Sequence, residues 1–252
     1  SDLTSLLCGF KQGYSNLMTQ VNDQYLKHVE VNNPELLEIL NEYAKLHTME
    51  GFEKNCHLTA AEHKRQRAYY VGPKHMDEIV SQGTDHEGFP DQLVGYNFKL
   101  SEKAHMMFEK DADPIFKRDM TQHLRELNDK MMNFLSVKHN ALAAVYPPGG
   151  FISWHNNANA PGFNLIFSYS EDGSGYFDYI HPETKEVVHC QDKPGEWTCK
   201  AAYFGHYGEE DKVMYHAAST DDWRVTVSYV FDWSETSEGF RAMVLDDIQS
   251  SS

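Results

Sequence analysis

Two histidines, an amide and an arginine in the second half of the sequence have types and spacing that suit metal chemistry. Asn157 lies two positions after His155, and Arg224 lies eight positions after His216. Two imidazoles and one oxygen ligand on one side of a metal ion leave adjacent positions open, enough for a bidentate 2-oxo acid and dioxygen. The planar fork of an arginine suits the carboxylate at the far end of such an acid. The four residues therefore indicate a metal centre that handles a small carboxylate.

A tight turn presents the first histidine of this set. The turn-forming sequence Pro-Pro-Gly-Gly at 147–150 separates the apolar run 141–146 from a second run that ends at His155, which predicts a β-hairpin. Side chains two apart on a strand share a face, so alternation over 151–157 places His155 and Asn157 in one space. The same face is expected to hold Phe151 and Ser153, and the opposite face Ile152, Trp154 and Asn156.

Arg224 begins a strand pattern of its own. Alternation places Arg224, Thr226 and Ser228 on one face of this strand. The other face holds Val225, Val227, Tyr229 and Phe231. If that aliphatic and aromatic set packs between two sheets, Arg224 looks into the same kind of cavity as His155. Because an inward arginine is costly to bury unless an anion meets it, the pattern predicts an anionic ligand.

The hydrophobic pattern divides the sequence into a helical first half and a strand-rich second half. Helical spacing is found over residues 1 to about 48, from Asp113 to about Lys138, and again over 236–248. Strands are expected over 141–146, 151–157, 163–169, 175–180, 186–190, 197–204, 212–216 and 224–231. This order predicts a fold that is mainly β with α, namely a jelly roll or cupin-like double-stranded β-helix that is preceded and flanked by helices.

We expect a single domain over 1–252, because no linker marks a boundary. Within it, 1–140 should form the helical N-terminal part, 141–235 the jelly-roll catalytic core, and 236–252 the C-terminal helix and tail. The irregular stretch from Glu50 to Pro90 is where we expect selectivity for a substrate, since loops and insertions commonly cover a binding site.

Composition narrows the classes of partner. The formal net charge of −16 disfavours binding to nucleic acid, whose phosphates would be repelled. The apolar runs are far shorter than the ~18 residues of a membrane span, and no secretory signal is evident. The four cysteines show no C-x-x-C spacing, which fits a reducing compartment, and we expect a cytoplasmic protein. The sequence does not indicate an oligomeric state.

At this point the sequence resembles the Fe(II)- and 2-oxoglutarate-dependent dioxygenase superfamily, in particular its prolyl 4-hydroxylase-like branch. Tyr146, Gly149, His155 and Asn157 fall at the spacing of that family's hairpin motif. The resemblance implies that Fe(II) and 2-oxoglutarate are the cofactors, and that a small molecule or a protein side chain is hydroxylated with release of succinate and CO2. It also assigns roles to six residues: His155, Asn157 and His216 as catalytic metal ligands, and Arg224, Tyr146 and Thr226 as binding residues for 2-oxoglutarate.

One position departs from the family pattern, because Asn157 stands where the family has Asp or, less often, Glu. Three interpretations follow. Asn157 is a weaker ligand, or a carboxylate such as Asp178 reaches the metal in its place, or the metal has only two protein ligands, as in the related halogenases. Asn fills more space than the Gly or Ala of halogenases, which disfavours the third. A further alternative is an inactive cupin-like binding module that lost its chemistry with its carboxylate.

Overall fold

The computed structural model describes residues 25–99, 107–137, 139–231 and 238–251. The strands are β1 Leu26–Glu30, β2 Leu58–Thr59, β3 Leu93–Asn97, β4 His139–Tyr146, β5 Phe151–His155, β6 Gly162–Ser170, β7 Tyr176–Ile180, β8 Val187–Gln191, β9 Trp197–Phe204, β10 His216–Ser219 and β11 Arg224–Val230. The α-helices are α1 Pro34–Ala44, α2 Phe52–Asn55, α3 Arg67–Tyr70, α4 Pro73–Gln82, α5 Pro114–Leu135 and α6 Glu238–Gln249. Short 3-10 helices occupy Leu46–Thr48, Ala61–Gln66, Gly83–Asp85 and Glu210–Lys212.

The strands form two antiparallel sheets that face each other. The larger sheet has the order β1-β9-β6-β11-β4-β3, with β2 added to β3, and the smaller has the order β3-β5-β10-β7-β8. From β4 onward the chain passes back and forth between the two sheets. β3 pairs with β4 of the larger sheet and with β5 of the smaller sheet, so it joins the two sheets along one side. This topology confirms the predicted jelly roll with flanking helices.

The main core lies outside the barrel, between the larger sheet and the helices. Val225, Val227 and Tyr229 of β11 belong to it together with buried residues of α1 and α5. The aliphatic face of β11 therefore packs against helices, and the expectation that it packs between the sheets is wrong. A second, smaller core fills the space between the sheets, and the polar face of β11 borders it.

Two helices start where the sequence provides a cap. The Asn33 side chain accepts hydrogen bonds from the backbone of Glu35 and Leu36, and Pro34 occupies the first turn. Asp113 caps α5 in the same way, and these bonds hold the pKa of its carboxyl below the usual value. Among the described helices, none is both long and apolar enough to cross a membrane.

The predicted helical start of the chain is only partly tested. Its first pattern, Leu3 to Phe10, lies outside the described residues. The second pattern is α1, but between them residues 26–30 form β1, which pairs with β9 at the edge of the larger sheet. The prediction of helix at 26–30 is wrong because pairing with a neighbouring strand overrides the weak local pattern. With β2 and β3, the described residues before β4 contribute three strands.

The strand that carries the second histidine is also displaced from its prediction. The sequence suggests 212–216, whereas β10 runs from His216 to Ser219. Glu210–Lys212 instead form a 3-10 turn. Ala217 and Ala218 have low strand propensity, so β10 exists because β5 and β7 pair with it on both sides. His216 is therefore the first residue of its strand rather than the last.

Packing of α5 against the larger sheet predicts a clear stability effect. Leu124 is buried in the main core, so Leu124→Ala should lower the free energy of unfolding by about 2–5 kcal/mol. Ile115 lies on the same helix and is 61% exposed, and Ile115→Ala should change it by less than about 0.5 kcal/mol. Urea unfolding of both variants measures the contrast. Equal losses would show that α5 does not pack as described.

Candidate metal centre

The two histidines lie directly opposite each other on neighbouring strands of the smaller sheet. His155 ends β5, His216 begins β10, and the two are register partners. Their ring centroids are 4.1 Å apart, and both residues are buried. Phe177 and Phe204 also stack on the His216 ring, which places the pair in the space between the sheets.

A β-bulge turns His155 into that space. His216 pairs with His155 but Ala218 pairs with Ile152, so the register shifts by one residue between them. Ile152 already belongs to the inner core, and simple alternation would have sent His155 to the outer face. The predicted sharing of a face by Phe151, Ser153 and His155 is therefore wrong for β5. Bulges commonly re-aim a side chain in this way.

Backbone carbonyls orient both imidazoles for metal binding. Nδ1 of His155 lies 2.7 Å from the Ser153 carbonyl oxygen, and Nδ1 of His216 lies 2.9 Å from that of Met214. If each Nδ1–H donates to its carbonyl, each Nε2 keeps a free lone pair, which is the arrangement seen in metal-binding histidines. The donor set therefore fits a divalent metal that accepts nitrogen ligands.

Burial keeps both rings neutral in the absence of metal. It lowers the pKa of His216 to about 4. Burial, and after it the charge of His216, hold the pKa of His155 well below its ordinary value. A neutral imidazole is the form that binds a metal, so neither ring must lose a proton at neutral pH.

The position of Asn157 beside the histidines does not follow from the alternation of side chains along a strand. β5 ends at His155, and Asn157 has a left-handed backbone with φ of 53°, which Asn adopts more readily than most residues. Its amide nitrogen lies 3.4 Å from Nε2 of His216. The amide can thus donate to the lone pair that a metal would use, and a half rotation of the amide would bring its oxygen, a metal ligand, to the same place. The strand prediction over 151–157 is two residues too long.

Asp178 does not reach this centre. It lies on β7 between Phe177 and Tyr179, whose side chains fill the inner core, so it points to the opposite face. There its carboxylate lies 2.6 Å from Nδ1 of His189 and raises the pKa of that ring. The interpretation in which Asp178 replaces Asn157 is excluded by this placement. Within the described ranges, no group of three His, Cys, Asp or Glu residues could hold a metal.

Arg224 faces the same interior. Its Nε donates to Oδ2 of Asp192 at 2.6 Å, its Nη1 to Oγ1 of Thr226 at 2.6 Å, and its Nη2 to Oγ of Ser168 at 3.1 Å. Five N–H groups are available on a guanidinium, so one on each terminal nitrogen is left at the end of the fork. That end remains able to grip a carboxylate.

Tyr146 lies beside this fork. It is the register partner of Arg224, and its ring centroid is 5.9 Å from the guanidinium carbon. Burial raises the pKa of Tyr146 to about 12, so its hydroxyl keeps its proton. That hydroxyl has no hydrogen-bond partner among the described residues, and it can donate to a ligand.

Two charged residues of this interior, Lys200 and Asp192, were not predicted from the sequence. Lys200 shares its face of β9 with Ala202 and Phe204 of the inner core, and Asp192 follows β8. Alternation on β9 would have flagged Lys200, because a lysine at an inward position is unusual. No local signal marks Asp192. Burial alone would raise the pKa of Asp192, but the charges of Arg224 and Lys200 outweigh it and hold the pKa below its usual value.

The segment expected to cover the site does lie against it. The Asn157 backbone N–H donates to the Gly88 carbonyl at 2.7 Å. The Tyr207 hydroxyl donates to the His86 carbonyl.

Trp154 points the other way, toward α4, where its indole N–H donates to the Val71 carbonyl. It packs there with Ile79 and Ile180.

A large cleft lies away from the histidine pair. A groove of about 690 Å³ runs between α1 and α5 and is lined by acidic residues such as Glu38 and Glu126. It contains no residue of the histidine pair. The chemistry of the donor groups, rather than the size of a cleft, therefore locates the candidate site between the sheets.

Three solved structures share parts of this architecture. A Pseudomonas putida prolyl-4-hydroxylase covers 87% of this chain and 99% of its own, with 12% identity and a TM-score of 0.40. The viral collagen prolyl hydroxylase of Paramecium bursaria Chlorella virus-1, in its 2OG complex, covers 64% and 91%, with 11% identity and a TM-score of 0.26. The rice dioxygenase for auxin oxidation covers 89% and 79%, with 11% identity and a TM-score of 0.34. No protein-family model and no curated protein sequence matches.

The low histidine pKa values predict acid sensitivity in the metal-free protein. Between pH 6.5 and about pH 4 the unfolded chain binds a proton at residue 216 that the folded chain does not, so stability falls as the pH falls through this range. The free energy of unfolding should fall by on the order of 3 kcal/mol over this pH range. Chemical unfolding in the presence of a chelator measures it, with His216→Gln as the control. Parallel pH profiles for the two proteins would contradict the prediction.

Proposed function

We propose that this protein is an Fe(II)- and 2-oxoglutarate-dependent oxygenase. The observation that carries the proposal is the histidine pair, whose Nδ1 atoms are engaged by backbone carbonyls so that the Nε2 atoms can serve as ligands, in one interior with a buried arginine fork. Ferrous iron and 2-oxoglutarate, when bound, supply dioxygen activation with release of succinate and CO2, and hydroxylation of a C–H bond is the expected outcome.

The protein's own residues would hold the two cofactors and exclude water. His155 and His216 would bind the metal, with the Asn157 amide oxygen as the third ligand. The terminal N–H groups of Arg224 would grip the far carboxylate of 2-oxoglutarate. Tyr146 and Thr226 provide hydroxyl groups beside that fork, and Thr226 can donate its own proton because its oxygen already accepts from Arg224.

The amide at position 157 sets the charge of the centre. Ferrous iron with two neutral imidazoles and an amide keeps two positive charges, against one where a carboxylate is the third ligand. The metal should therefore bind weakly alone and more tightly with 2-oxoglutarate, whose negative charge compensates. Binding of the metal and of 2-oxoglutarate would then be coupled.

The substrate proposed is a small molecule or a protein side chain. The acidic surface disfavours nucleic acid, and the stretch around His86 and Gly88, which contacts the turn at Asn157, is placed to set selectivity. A cytoplasmic location belongs to the proposal because Cys56 and Cys199 are free thiols, which fit a reducing compartment.

The second candidate is an inactive binding module, which the amide at Asn157 favours. A cupin-like barrel that lost its ligand carboxylate could keep its carboxylate-binding arginine and recognise a metabolite without chemistry. Reconstitution with Fe(II) under anaerobic conditions separates the two. A protein that retains no iron and forms no succinate with any substrate supports the module.

The arginine fork provides the first test. With Fe(II) under anaerobic conditions, wild type should bind 2-oxoglutarate in calorimetry. Arg224→Lys should weaken this binding about tenfold to hundredfold, because a lysine cannot form the bidentate contact, and Arg224→Ala should abolish it. Arg118→Ala, on the exposed surface of α5, is the control. Unchanged binding in Arg224→Ala would refute the proposal.

The ligand role of the amide has its own test. Asn157→Asp should tighten Fe(II) binding in the absence of 2-oxoglutarate by about tenfold to hundredfold, the range typical of substitutions around a metal. Anaerobic titration measures the affinity, and Asn159→Asp, on the exposed turn nearby, controls for added charge. Equal affinities for wild type and Asn157→Asp would place residue 157 outside the ligand set.

A further inference from the structure

Lys200 carries a buried positive charge that its one long ion pair, with Asp192, leaves without a hydrogen bond. Its side chain is 2% exposed, yet its ammonium makes no hydrogen bond among the described residues. The nearest carboxylate oxygen, Oδ1 of Asp192, is 3.8 Å away, and this oxygen is itself buried without a hydrogen-bond partner. A buried ammonium with three donors is costly unless an acceptor meets it, so the ammonium of Lys200 points to a ligand that supplies one.

The position of Lys200 connects it with the candidate metal centre. Its ammonium lies over the Phe177 ring, 5.8 Å from the centroid, and the same ring stacks on His216 at 5.4 Å. Asp192 links Lys200 to Arg224 on the other side, since Oδ2 of Asp192 accepts from Nε of Arg224 at 2.6 Å. Lys200 therefore faces the interior that holds both the histidine pair and the arginine fork.

Among the residues that the structure describes, the charge in this interior is unbalanced by one unit. Arg224 and Lys200 are cationic and Asp192 is anionic, and the side chains of Arg224 and Asp192 are each 1% exposed. Gly175 packs on this pair so closely that an added Cβ would lie 2.6 Å from Oδ2 of Asp192 and 2.7 Å from Cδ of Arg224. One net positive charge remains, which a single carboxylate of a ligand would neutralise.

We propose that Lys200 is a ligand-binding residue that, together with the free end of the Arg224 fork, receives the far carboxylate of the co-substrate and makes the site selective for dicarboxylates. This inference rests on the proposed function for the identity of the co-substrate. Asp192 neutralises one of the two cations, which fits the site to one carboxylate rather than two. Ser168 and Thr226 add hydroxyl donors at the same place, because each already accepts from the guanidinium.

Lys200→Met tests the proposal. The variant leaves a neutral pair of Arg224 and Asp192, so it should fold, and thermal unfolding checks this. Its dissociation constant for 2-oxoglutarate, measured with Fe(II) by anaerobic calorimetry, should rise about tenfold to hundredfold, as expected for one charge-assisted hydrogen bond. Binding of 2-oxopentanoate, which has the same chain without the far carboxylate, should not change. Lys27→Met, on an exposed position of β1, is the matched control.

A double variant separates direct contact from net charge. Lys200→Met with Asp192→Asn restores the single positive charge of the wild-type interior. If Lys200 touches the ligand, the double variant still binds 2-oxoglutarate weakly; if it only adjusts net charge, binding recovers and the inference is overturned. Unchanged affinity in Lys200→Met, or a variant that does not fold, also overturns it.

Metal-free glutarate distinguishes failure of this inference from failure of the proposed function. A wild type that does not bind 2-oxoglutarate but binds glutarate, with loss of glutarate binding in Lys200→Met, would refute the oxygenase and support the carboxylate role of Lys200. If wild type and Lys200→Met bind 2-oxoglutarate with equal affinity, the oxygenase is supported and the carboxylate role of Lys200 is refuted. A wild type that binds neither acid refutes both.

Discussion

The pairing of β5 with β10 is the constraint on which the candidate site depends. The register partners His155 and His216 come from segments about sixty residues apart in the chain, and only the antiparallel ladder between their strands brings them together. The one-residue bulge in β5 then decides which way His155 points. A strand without this bulge would bury the same residues and bring the same two positions together, yet it would present one histidine to the outside.

Burial governs the chemistry of the site as strongly as geometry does. Both imidazoles lie in an interior that disfavours the protonated form, and they are therefore held neutral as potential ligands. The same interior carries the charged side chains of Arg224, Asp192 and Lys200 at a depth where an unpaired charge is costly. A fold that needed only stability would be served as well by apolar side chains at these positions, so the charges are best understood by what they can bind.

Much of the architecture was predictable because it follows from short-range pattern. The period-two runs from residue 141 onward correspond to strands of the jelly roll, and the caps at Asn33 and Asp113 begin α1 and α5. Two of the errors share one cause: β1 and β10 have weak local signals, and they are strands because neighbouring strands pair with them. Asn157 was expected beside His155 for an incorrect reason, since a left-handed turn rather than strand alternation carries it there.

The sequence by itself determined the residue types that make metal and carboxylate chemistry possible, His155, Asn157, His216 and Arg224, together with the class of fold that could unite them. These depend on composition and spacing, which are local. Only the tertiary structure decided that Asp178 faces away, that β5 contains a bulge, and that Lys200 and Asp192 stand beside Arg224. These outcomes depend on strand register and on charges brought together from distant segments, and no local pattern of residues encodes either.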